Sequence, residues 1–235
     1  MSQPSATRSG PKRALIAAVA AVALIGGGWF GVGAYGSSLV KQRLEKMTTA
    51  AKLQLKVDDI RVSPLGSVWI EGLAFKRTDG SDVVAAQEIV GTLSPAKALA
   101  GSRRPESLEV SGLKVDVRVV DGKPQELLDL YKAARSKPKD PAKSPEKRQK
   151  SARTSLVVGG GEVTLTVIGK GADMLPKGLA IKQLMVKFDP AANVGEVSAQ
   201  VHGTQTSTLS AKLHPAQGER PAHIEARLSP QLRVD

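Results

Sequence analysis

Hydrophobic positions along this chain change their period near residue 53. Upstream, no charged residue occurs from Ala14 to Val40, and Ala14 to Ile25 is wholly aliphatic. About 20 apolar residues cross a bilayer core of about 30 Å, so residues 14–35 are expected to form a transmembrane helix. Trp29, Phe30 and Tyr35 fall at its C-terminal end, where an interfacial aromatic belt belongs. Leu39, Val40, Leu44, Met47 and Leu53 continue at helical spacing, which predicts a helical continuation over residues 36–52. A cleaved secretory signal is the competing reading, because Val32-Gly33-Ala34 offers small residues for a peptidase. The apolar run is longer than the usual h-region of about 7–15 residues, which favours an uncleaved anchor. Both readings export everything downstream.

From residue 53 the period is two. Leu53, Leu55 and Val57 alternate with Gln54 and Lys56, and Asp58-Asp59 shifts the phase before Ile60 and Val62. Further strands are expected over Val68 to Phe75 and Val83 to Leu93, separated by the turn Thr78-Asp79-Gly80-Ser81. Ser94-Pro95 is placed to open a short helix over Ala96 to Ala100. Leu113, Val115, Val117 and Val119 form the clearest strand, with Lys114, Asp116 and Arg118 on its other face. These four aliphatic residues are the candidate functional face. A helix over Pro124 to Ala134 follows, with Leu127, Leu130, Tyr131 and Ala134 on one side. Residues 136–153 carry three closely spaced prolines among like charges and read as a disordered basic linker. Strands resume at 163–167, 184–188, 197–201, 209–213 and 224–228, a spacing that signals an antiparallel meander.

The expected fold is therefore mainly β: a transmembrane helix, then an elongated, curved antiparallel sheet with one or two short helices. Its segments are a basic tail (1–13), the anchor (14–35), the helical continuation (36–52), a first β segment (53–135), the linker (136–153) and a second β segment (154–235). A short echo of the form Gly-Leu-x-apolar recurs at Gly72, Gly112 and Gly178. Repeated strand units of this kind suit a sheet that grows along one axis.

Composition narrows the chemistry. The absence of cysteine among 235 residues excludes a disulfide scaffold, a zinc ribbon and any thiol nucleophile. The net charge of +12 is unevenly placed. Arg8, Lys12 and Arg13 precede the anchor, which puts the N-terminus in the cytoplasm by the positive-inside rule. Nine basic residues against Asp140 and Glu146 lie between Lys132 and Arg153, leaving the rest nearly neutral. With only Tyr131 at its edge, that basic run lacks the interleaved aromatics of a nucleic-acid surface, so no nucleic-acid partner is expected.

Catalytic patterns fail one by one. His202, His214 and His223 show no ligand spacing on a shared face, and no metal or cofactor is expected. Gly159-Gly160-Gly161 lacks the Gly-Lys-Ser/Thr ending of a phosphate loop and reads as a turn into the next strand. No Gly-x-Ser-x-Gly elbow occurs. Asp79 with Asp82, and Asp189 with Asn193, read as turn formers rather than calcium ligands. Asp58 and Asp59, as neighbours in a strand, are expected on opposite faces and so form no dyad. No enzyme is expected.

The order of segments resembles a known family. After the anchor come Leu55-Lys56-Val57-Asp58-Asp59-Ile60-Arg61-Val62-Ser63, Leu65-Gly66-Ser67-Val68-Trp69-Ile70-Glu71-Gly72-Leu73 and Ala86-Gln87-Glu88-Ile89-Val90-Gly91-Thr92-Leu93-Ser94. Ala98-Leu99-Ala100-Gly101 and Glu106-Ser107-Leu108-Glu109-Val110-Ser111-Gly112-Leu113-Lys114-Val115-Asp116-Val117 complete it. This layout is similar to the N-terminal region of AsmA-like envelope proteins, relatives of chorein-type lipid-transfer proteins, over roughly residues 12–122 and more loosely 159–167. The resemblance implies a single-pass inner-membrane protein with a periplasmic sheet. It also implies phospholipid acyl chains or cell-envelope proteins as partners besides the membrane. The same layout resembles the non-catalytic front end of some peptidoglycan glycosyltransferases, which implies a scaffold instead.

Overall fold

The computed structural model describes residues 36–63, 67–93, 105–121, 123–135, 154–169, 179–202, 206–214 and 223–229. The basic tail, the expected transmembrane helix over 14–35, the short helix over 96–100 and the linker over 136–153 lie outside these residues. Among the described residues no helix is long and apolar enough to cross a membrane.

Two helices are present in the described part. Helix α1 (Gly36–Ala51) buries Val40, Leu44, Met47 and Ala51, the i, i+4, i+7 stripe that the sequence displays. Lys52 ends it in the left-handed region at φ 57°. The Leu53 amide donates to the Thr48 carbonyl (2.9 Å) and the Lys52 amide to that of Thr49 (3.2 Å), a Schellman closure without glycine. Helix α2 (Gln125–Arg135) starts where Pro124 supplies the carbonyl for the Leu128 amide, and it buries Leu127 and Leu130. The helices pack on each other, α1 also against β1 (Gln54–Lys56) and β2 (Asp59–Val62), and α2 also against β6 (Lys114–Val120).

The remaining strands are β3 (Val68–Lys76), β4 (Asp82–Thr92), β5 (Ser107–Ser111), β7 (Ser155–Ile168), β8 (Leu179–Asp189), β9 (Val194–His202), β10 (Thr206–His214) and β11 (His223–Ser229). All eleven join one sheet in the order β1-β3-β4-β5-β7-β8-β9-β10-β11, with β2 also on β3, and β6 also on β4 and β7. Strands β7 to β11 form the antiparallel meander that their spacing predicts. The expectation of a wholly antiparallel sheet needs correction. β5 and β6 both run parallel to β7, so the sheet is mixed. The long connection through α2 and residues 136–154 makes this possible, since parallel neighbours need a crossover that a tight turn cannot supply. The parallel seam joins the two β segments into a single sheet.

One face of that sheet is buried from β3 to β9, while β11 at its end is largely exposed on both faces. Ile70, Ile89, Leu113, Val117, Val158, Val163 and Val197 are at most 2% exposed, and the inward residues of β3 to β10 belong to one hydrophobic cluster with the two helices. Each such aliphatic side chain contributes about 1.5–3 kcal/mol when removed from water. With so few aromatics, the core is assembled from many modest contributions of this size.

Candidate functional site: a polar crease across the sheet

The phase shift at Asp58-Asp59 is not local to β2. Six strand lines carry the same irregularity, a tetrad whose two outer residues are more buried than its two middle ones, in place of alternation. They are 57–60, 70–73, 86–89, 110–113, 158–161 and 181–184. In each, the two outer residues point inward and the two middle ones leave the core. The register aligns them. Asp59 faces Glu71, Glu71 faces Glu88, Glu88 faces Ser111 and Ser111 faces Gly159. On β8 the irregularity steps sideways to Lys182-Gln183, and β9 runs through with unbroken alternation. Strands β2 to β5 keep register through the tetrads and so kink together, while register shifts accompany the tetrads of β7 and β8, and the result is a crease across most of the sheet.

Backbone conformation explains why glycine marks it. Gly72 and Gly112 sit at φ 61° and 59°, a region costly for residues with a Cβ. A Cβ on Gly112 would lie 2.7 Å from Gln87 Cβ, and one on Gly72 would run into the Asp58 carboxylate. The side chain of one strand thus lies over the bare backbone of the next. Gly112→Ala is expected to destabilise by about 2–3 kcal/mol, combining left-handed strain with the displaced Gln87. Gly80→Ala, at φ 83° with open space around it, should cost about 1 kcal/mol. Urea melts of both variants test this, and equal losses would refute the packing of Gln87 over Gly112.

The crease forms a shallow groove of about 530 Å³ lined by Asp58, Glu71, Gly72, Gln87, Glu88 and Ser111. Its character is acidic. Lys56 pairs with Asp58 (3.4 Å), while Arg61 bridges Asp59 (3.0 Å) and Glu71. The expectation that Asp58 and Asp59 point to opposite faces is corrected here. Both are exposed, because Asp58 lies in the bend ahead of β2, whose first residue is Asp59, so strand alternation does not extend to it. The turn expected at Gly159-Gly160-Gly161 is also corrected: these residues lie inside β7, where they form its share of the crease.

The candidate face behaves differently. Leu113, Val115 and Val117 are 0%, 3% and 1% exposed, and Val119 packs against the same cluster. They lie in a closed core and present no open apolar strip. Asp79 and Asp189 serve as turn formers. Asp79 accepts from the Ser81 hydroxyl (2.5 Å) and amide (2.8 Å), which lowers its pKa to about 2, and Asp189 accepts from the Ala191 amide (2.8 Å).

Two arrangements escape the sequence. Arg77, buried at the end of β3, binds both Glu126 oxygens (2.7 Å each) and the Asp116 carboxylate (2.7 Å). It also donates to the Asp116 carbonyl (2.9 Å) and the Asp82 carbonyl (3.1 Å). Burial works against its charge, but the bonds to Glu126 and Asp116 outweigh that and raise its pKa. The second is a histidine pair. His214 and His223 are direct cross-strand partners, so the absence of a shared face inferred from spacing is wrong. Residues nine apart in sequence meet wherever a hairpin folds back on itself. No family model, no curated protein and no solved structure matches this chain.

Proposed function

We propose that this protein is a non-enzymatic, single-pass protein of the bacterial inner membrane whose periplasmic sheet works by binding a protein partner across its polar face. The observation that carries the choice of partner is the closure of the apolar face at Leu113, Val115 and Val117. Acyl chains need a continuous apolar surface open to them. Here the inward residues of β3 to β9 are already covered, and the outward face offers the acidic crease instead. A scaffold module, as in the front end of a cell-wall synthase, fits this division of faces better than a lipid conduit does. The anchor and its orientation rest on the uncharged run from Ala14 to Val40 behind Arg8, Lys12 and Arg13. The non-enzymatic reading rests on the lack of any nucleophile–base pattern in the sequence.

Photo-crosslinking in cells tests the proposal. A photoreactive residue at Gln87, exposed in the groove, is expected to give discrete protein adducts, and one at exposed Lys114 to give few. Adducts to phospholipid alone would overturn the partner reading in favour of lipid binding. A reporter enzyme active only in the periplasm, fused after Asp235, should be active in the same cells, and an inactive fusion would overturn the topology.

A further inference from the structure

The last hairpin of the sheet brings three metal-ligating side chains together. His214 closes β10 and His223 opens β11, and the two are Cα partners at the base of the hairpin. Their rings stack with centroids 4.4 Å apart and planes within 8° of parallel. Glu225 lies two residues along β11, hence on the same face as His223. One of its oxygens is 4.0 Å from His214 Nε2 and 3.7 Å from His223 Nε2. Candidate ligand atoms of all three residues lie within 4.8 Å of one another.

Directly opposite Glu225 on β10 stands Lys212, and its ammonium is 3.9 Å from Glu196 of β9. That lysine is thereby turned toward the neighbouring strand, while Glu225 reaches toward the imidazoles. An imidazole binds a metal in its own ring plane, so the two stacked rings must turn toward the shared carboxylate to hold one cation, a rotation open to side chains at a strand end. We infer that His214, His223 and Glu225 form a surface site for a divalent transition metal of the zinc or copper class.

The chemistry of the donors sets that class. Two imidazole nitrogens and one carboxylate oxygen suit zinc, copper or nickel, whereas calcium and magnesium prefer all-oxygen shells. Bonds of about 2.0–2.2 Å from a tetrahedral zinc place its ligand atoms about 3.3 Å apart. The carboxylate therefore has to approach the two imidazole nitrogens by about 0.4 and 0.7 Å, and no pair of the three ligand atoms has to close by more than about 1.5 Å, a movement that side-chain rotation at an exposed strand end supplies. Three protein ligands leave a fourth position for water or for a donor from a partner. Binding would clip the first residue of β11 to the last of β10.

Equilibrium dialysis of the full chain against zinc, with cobalt absorption as a second readout, tests the site. One zinc per chain is expected to be retained, with visible cobalt bands of a low-coordinate nitrogen–oxygen set. His214→Ala and His223→Ala should each weaken retention roughly tenfold or more, and Glu225→Gln by less. His202→Ala should leave it unchanged, since His202 sits on β9 against the Thr206 hydroxyl (3.2 Å). All four side chains lie at the surface or partly so, and circular dichroism checks that each variant keeps its strands. Zinc retention by the wild type no better than that of a His214→Ala/His223→Ala double variant would overturn the site. An equal loss in His202→Ala would do the same.

Discussion

Val117→Asp is expected to abolish folding of the sheet. Val117 is 1% exposed, in the middle of β6, with β4 and β7 to either side and the hydrophobic cluster beneath. An aspartate there must either stay ionised without a partner or take up a proton, and both states cost several kcal/mol. Domains as a rule have only about 5–15 kcal/mol of net stability, so one such charge removes much of it. Val117→Ala, by contrast, loses two methyl groups and should cost about 2 kcal/mol while leaving the fold intact. The expected outcome is a collapsed β signature in circular dichroism for the aspartate variant and a normal one for the alanine variant. A folded Val117→Asp protein would mean that water reaches the inner face. In that event the lipid-binding reading regains its physical basis.

Alternation made most of the β1 to β4 and β6 to β11 strands legible, because a half-buried strand writes its two faces directly into the sequence. Partner choice was less legible. Nothing in Leu113 to Val119 distinguishes a strand with antiparallel neighbours on both sides from one with a parallel neighbour at residues 162–168. That is decided by the crossover through α2, whose return direction leaves no local pattern. β5 leaves little trace in the sequence because Ser107 to Ser111 is short and ends in a break, and the first half of β7 is masked by three consecutive glycines that look like a turn.

The crease was half visible. The phase shift at Asp58 and the Gly-Leu echo at Gly72 and Gly112 are two expressions of one feature, a kink repeated in register from strand to strand. Its continuation at Gln87-Glu88 carries no glycine and is found only by counting inward positions: Ala86 and Ile89 are three apart where alternation demands two. The histidine pair depends on hairpin register, which composition and spacing do not fix. A rule that folds residues 206–229 into a hairpin before searching for ligands would have paired His214 with His223.

Replacing Arg77 should have the second-largest effect. Its side chain is 6% exposed, while the carboxylates of Asp116 and Glu126 are 30% and 32% exposed. Breaking a buried ion pair by removing one partner costs about 3–5 kcal/mol. Partial exposure lets water relieve the two carboxylates, which sets the expectation for Arg77→Leu at the lower end, about 3 kcal/mol. For a domain of this size that corresponds to a fall in Tm of about 6–12 °C. Arg77→Lys should recover little of it. A lysine is a single point charge and cannot bond both Glu126 oxygens, Asp116 and two carbonyls from one plane. The contact matters because Glu126 is in the first turn of α2, so Arg77 ties that helix to the end of β3, the start of β4 and the body of β6 at one point. A double-mutant cycle of Arg77→Leu with Glu126→Gln isolates that tie and should show a coupling above about 1 kcal/mol. Coupling near zero, together with a loss below about 1 kcal/mol for Arg77→Leu alone, would refute the claim that this cluster docks the helix. The hydrophobic contacts of Leu127 and Leu130 would then suffice to hold α2 in place.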